Sequence, residues 1–170
     1  MGGVIVRRMI IKRQAAPIVP LLHAFLTLNS PHCGLLYNER AANWGISLVQ
    51  WWKQSASMCQ LTLRDAASLR NTLLYKLSRH GTFSKFKYVL LLGTYHDILV
   101  PHHSAVIEIS KTIQKDTRIE GRIYEEMVRN INESIINSKE TMLFKYTVVP
   151  SMADASRTSR IIGRAGLLIT

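Results

Sequence analysis

The stretch Lys87 to His103, KYVLLLGTYHDILVPHH, constrains this chain more than any other. Tyr88 to Leu92 is a near-continuous apolar run, the pattern of a strand buried on both faces inside a parallel sheet. Gly93 closes the run, and a short polar turn carries Tyr95, His96 and Asp97. Pro101 stops any early helix, and an amphipathic helix is expected from about Ser104. Open α/β sheets keep their chemistry at the carboxyl ends of such strands. Asp97 stands where it could orient a histidine for nucleophilic catalysis. It could equally be a solvated loop acid or a helix cap.

The remaining pattern places strands between helices. Residues 2–13 read as a short helix, with Val4, Ile5, Arg8, Met9 and Lys12 at helical spacing ahead of Pro17. Leu22 to Leu28 reads as a strand that runs into the turn-rich loop Asn29-Ser30-Pro31-His32-Cys33-Gly34. Ala42 to Lys53, with Trp44, Trp51 and Trp52, reads as an amphipathic helix. Asp65 is placed to cap a further helix striped by Leu69, Leu73, Leu74 and Leu77, with Gly81 as its stop. Helices follow near 104–115 and 122–136. Then comes a strand at 141–149 and a helix from Ser156 to Ile169 with Ile161, Ile162, Ala165 and Leu168 inward. Strands separated by helices mean parallel pairing through crossovers. The fold class is therefore α/β, with parallel strands near 22–28, 88–92 and 141–149. Three strands leave long open edges, so the pattern resembles the second half of a doubly wound domain.

At 170 residues the chain can bury one real core, and 47% apolar with 19% charged residues argues against disorder. No run of about 18 apolar residues is present to span a membrane. Cys33 and Cys59 fit no zinc or CxxC spacing and read as reduced structural thiols, which points to a cytoplasmic protein. The net charge of +11 is uneven: residues 1–86 hold 11 basic and 2 acidic side chains. That half could meet an anionic membrane surface or another anionic partner. No RRM, zinc-finger or helix-turn-helix signature accompanies it, so specific nucleic-acid binding is not expected. A metal is not expected either, because adjacent His102 and His103 cannot easily point the same way, and His96 and His32 read as loop hydrogen-bonders. The three tryptophans could line an acyl pocket, face a membrane or simply pack a core helix.

Several segments together resemble a known family. MGGVIVR at 1–7 resembles the piece that follows the nucleophile serine in lipase-like α/β-hydrolases, whose elbow commonly reads Gly-His-Ser-Met-Gly-Gly. LNSPHCGLLYN (28–38), QLTLRD (60–65), VLLLGTYHDILVPHHSAVIEISKT (89–112) and IIGRAG (161–166) resemble the putative serine esterase domain closing the "family with sequence similarity 135" proteins. The resemblance implies a partial α/β-hydrolase fold. Residues 1–170 would then be the C-terminal half of one lipase-like domain, beginning just after the nucleophile elbow. It implies hydrolysis of a carboxylic ester, lipid or other acyl, with no cofactor. Asp97 matches the triad acid, and Met1 the residue after the nucleophile, whose backbone N–H helps form the oxyanion hole. The nucleophile would immediately precede Met1. The histidine is expected in 148–157, where Met152 stands at its position and no histidine occurs. Losing the whole triad costs about a millionfold in a serine protease. The expectation is thus an inactive chain, a fragment or pseudoenzyme. The alternatives are a basic, non-catalytic binding module and a scaffold that pairs a partner chain on its strand edges.

Overall fold

The computed structural model describes residues 1–38 and 55–149. Three strands, β1 (Ala24–Leu28), β2 (Tyr88–Gly93) and β3 (Met142–Thr147), form one sheet in the order β1-β2-β3. Both pairings are parallel, with Leu26 beside Leu90 and Leu90 beside Phe144. The helices are α1 (Gly2–Ile10), α2 (Ala56–Leu61), α3 (Leu73–Ser78), α4 (His102–Ala105), α5 (Lys111–Gln114) and α6 (Ile119–Ile136). This is the expected partial α/β fold, a three-stranded parallel sheet flanked by helices. The expected helices at 42–53 and 156–169, with the three tryptophans and Met152, lie outside the described residues.

Alternation along the strands sorts their side chains. Phe25, Val89 and Leu91 point into the core, with Val89 and Leu91 fully buried in the cluster that also holds Ile123, Tyr124, Met127 and Ile131 of α6. The opposite face differs from expectation. Leu90 and Leu92 are only half-buried, and Leu26, Leu28, Met142, Phe144 and Tyr146 are exposed. The strand at 88–92 is thus covered on one face by the described residues, not on both.

Several expected boundaries move for identifiable reasons. α1 stops at Ile10 because Lys12 is already extended, and its buried stripe is Val4, Arg7 and Ile10. Ile5 and Met9, expected on the packed face, are exposed. The helix expected after Asp65 splits into a 3-10 turn at Leu69–Asn71 and α3. Asp65 does act as a cap, but eight residues on: its Oδ2 accepts from the Leu73 N–H at 2.8 Å. The helix expected over 104–115 is broken by Ile107, which is fully buried with φ of 56°. The Glu108 N–H closes α4 onto the His103 carbonyl at 2.8 Å, and Ser110 caps α5. α2 was not foreseen at all.

α1 sits unusually close to the sheet. A Cβ on Gly3 would lie 2.5 Å from Ser30 Oγ, 2.8 Å from Thr27 Cγ2 and 2.9 Å from His32 Cε1, whereas a Cβ on Gly2 would meet nothing within 4 Å. Gly3→Ala is expected to lower stability by about 1–3 kcal/mol through overpacking. Gly2→Ala should stay within about 0.5 kcal/mol. Urea unfolding midpoints of the two variants check the contrast.

Candidate functional site

The carboxyl ends of β1 and β2 bring the candidate residues to one edge of the sheet. Asn29 leaves β1 with φ of 45°, its N–H donates to the Leu92 carbonyl, and its Oδ1 accepts from the Thr94 N–H at 2.9 Å. The two loops are therefore stitched together where they leave the strands. Farther out, Asn38 Nδ2 donates to the Ile98 and Leu99 carbonyls at 3.1 and 2.8 Å. These peptides follow Asp97 directly, so the loop after β1 shapes the turn after β2.

Asp97 is half-buried in that turn. Its Oδ1 accepts two backbone N–H groups, from Leu99 at 2.8 Å and Val100 at 2.9 Å. Both bonds fall on one oxygen, so the turn makes no use of Oδ2. The turn is an Asx-type cap that fixes the carboxylate's orientation. A cavity of about 480 Å³ opens beside it, with Tyr37, Asn38, Tyr95, Asp97, His102 and His103 in its wall.

Met1 stands at the start of α1, and its carbonyl accepts from the Val4 and Ile5 N–H groups. It does not line the large cavity; it lines a smaller one of about 90 Å³ with Ile5, Arg8 and Leu73. Burial lowers the affinity of its amino group for a proton, and the Asp97 carboxylate partly offsets that. The two sequence-derived site residues therefore lie within electrostatic reach, though they face different cavities.

The histidines have separate engagements. His32 is buried and shares a 3.0 Å bond between Nε2 and Thr27 Oγ1. His96 bonds Thr94, and His102 Nε2 meets Thr147 Oγ1 at 2.9 Å while its ring stacks on Tyr95. His103 Nδ1 meets Tyr124 Oη at 2.6 Å. None of these bonds involves Asp97, and the neighbours His102 and His103 turn to different partners.

Residues that sequence reasoning passed over hold this edge rigid. Arg7 is 1% exposed; its guanidinium donates to Thr82 Oγ1 at 3.0 Å, the His32 carbonyl at 3.1 Å and the Leu77 carbonyl at 3.3 Å, and lies over the Phe83 ring. Burial brings its pKa down to about 10. The Cys33 N–H donates to Ser104 Oγ at 3.1 Å, tying the loop after β1 to α4. Burial pushes the Cys33 thiol up to about 12, and Tyr124 well above the ordinary phenol range. Cys33 is thus a buried thiol, not a nucleophile. The one signal for Arg7 was its place in the α1 stripe, three residues from Val4 and from Ile10.

A three-stranded parallel sheet flanked by helices, with a turn-fixed carboxylate at its carboxyl edge, places the chain in the α/β class, whose sites lie at that edge. The sequence model of the family described as "Putative serine esterase (DUF676)" matches residues 1–112, and the chain belongs to that family. The match runs from α1 through β2 and the Asp97 turn to α5; α6 and β3 lie beyond it. No solved structure gives a significant match to the chain.

Burial and the nearby Arg7 charge hold His32 neutral, its pKa well below 6.5. The unfolded chain binds that proton near pH 6.5 and the folded chain does not, so stability is full above 6.5 and falls below it. Between pH 6.5 and 5 the loss should approach about 1.4 kcal/mol per pH unit. His102, also lowered by burial, adds a smaller part of the same sign. His32→Gln should flatten most of that limb in urea titrations at stepped pH.

Proposed function

We propose that this chain belongs to a lipase-like serine esterase domain of the "family with sequence similarity 135" kind. Asp97 is its triad acid, and Met1 holds the position after the nucleophile. The observation that carries this reading is the Asp97 carboxylate: two backbone N–H groups fix Oδ1 in the turn after β2, and its charge acts on the amino group of Met1 at the start of α1. In such a centre the acid orients a histidine and stabilises the imidazolium that forms as a serine attacks an acyl carbonyl. The free N–H groups at the start of a helix hold the developing oxyanion. The substrate class is a carboxylic ester, with the cavity beside Asp97 taking part of the acyl or alcohol group.

The sequence carries no histidine after His103, and Met152 stands where the family places one. We therefore read the chain as silent on its own. Its hydrolysis of p-nitrophenyl butyrate should equal that of Asp97→Asn, because the loss of an intact triad costs about a millionfold. A reproducible difference between the two proteins would overturn the silent reading.

A second reading, a basic module for an anionic surface, is favoured by α1 and the turn after it. Ile5 and Met9 are exposed there beside Arg8, Lys12 and Arg13. On this reading the chain co-sediments with phosphatidylglycerol vesicles at low salt and is released at high salt. Sedimentation that ignores salt, or none at all, would end it.

A further inference from the structure

The three strands are parallel, so the segments that enter them meet at one edge of the sheet, opposite the Asp97 turn. Those segments, residues 11–23, 76–87 and 137–141, hold seven Lys or Arg and one acid, Glu140. The segments that leave β1 and β2, residues 29–38 and 94–101, hold no Lys or Arg and one acid, Asp97. Charge is thus sorted along the strands, with the cations at the amino edge. The middle segment is the densest. Its apolar residues Leu77, Phe83 and Phe86 are buried, while Lys76, Arg79, His80, Lys85 and Lys87 are exposed. Among the described residues none of these five pairs with a carboxylate; the ion pairs use Arg70, Arg118, Arg129 and Lys145 instead.

An apolar tip stands beside these cations. The Tyr88 N–H donates to the His23 carbonyl at 3.0 Å, which sets the chain before β1 alongside Lys87. Two residues before His23, Leu21 ends the 3-10 turn Val19–Leu21 and is 79% exposed, with Ile18 at 41%. We propose that this amino edge is a docking surface for an anionic membrane, with Leu21 entering the headgroup layer and Arg79, Lys85 and Lys87 meeting acidic lipid headgroups. An exposed apolar tip among cations without carboxylate partners is the chemistry such a surface recognises. A polyanion such as RNA would satisfy the cations and leave Leu21 in water. The proposal rests on the anionic-surface reading above and assigns the contact to a surface other than the Ile5 and Met9 face. β2 is six residues long, about 20 Å, so the Asp97 cavity stays on the side turned away from the lipid.

The test is sedimentation of the intact 170-residue chain at low salt with vesicles of phosphatidylcholine, alone or mixed with phosphatidylserine. The chain should sediment with the mixed vesicles only. Each cation near an anionic surface raises affinity about fivefold. Lys85→Glu with Lys87→Glu should therefore weaken binding by more than about tenfold. Lys85→Arg with Lys87→Arg should retain it, and Leu21→Ser should weaken it severalfold. All three positions are exposed, so urea unfolding midpoints should not move. Ile5→Ser with Met9→Ser should leave binding unchanged. If that variant loses the vesicles and the Lys85→Glu, Lys87→Glu chain keeps them, the anionic-surface reading survives and this assignment is overturned. No vesicle binding by the unaltered chain would overturn both, and binding to polyuridylate RNA in its place would give the edge to nucleic acid.

Discussion

The buried guanidinium of Arg7 is the interaction on which the arrangement of this edge depends. A charge that is 1% exposed needs compensation, and here it comes from two carbonyls, a threonine hydroxyl and a ring face. One of those carbonyls, Leu77, sits in the last turn of α3, where the helix dipole favours a cation. The contacts tie α1 to three parts of the chain: the loop after β1, α3 and the turn before β2. Arg7 thereby sets the rotation of α1, which in turn sets Gly3 against Ser30, Thr27 and His32.

The carboxyl edge of the sheet is consequently a stitched surface, not a set of independent loops. Backbone groups leaving a parallel strand lose their ladder partners and must find others. Asn29 and Asn38 supply them across the two loops, Asp97 within its own turn, and Ser104 from α4. Lys145 follows the same logic on β3. It faces inward, where burial lowers its pKa, and its Nζ donates to the carbonyl of the left-handed Ile107 at 2.9 Å. Membership of the serine esterase family gives this edge its chemical context, because the matched residues run from α1 through the Asp97 turn.

The strands were legible because each is a dense apolar run between turn residues. β2 was placed to within a residue, and β1 and β3 were shortened only where their ends meet loops. The long helix α6 was legible from its apolar period. The short helices were not. α2, α4 and α5 run four to six residues, too few for periodicity to show, and the break at Ile107 depends on a conformation that no β-branched residue adopts by preference. α1 was found but turned the wrong way, because an arginine was not expected at the centre of a buried stripe.

By itself the sequence determined the order of the three strands along the chain, the parallel pairing and the position of Asp97 just past a strand's end. All three follow from local pattern and chain connectivity. Tertiary structure alone decided which face of α1 is buried, which backbone groups hold Asp97, and which face of the sheet the described residues leave bare. Those outcomes depend on contacts between residues up to 75 positions apart, such as Arg7 with Thr82, and no local pattern encodes them.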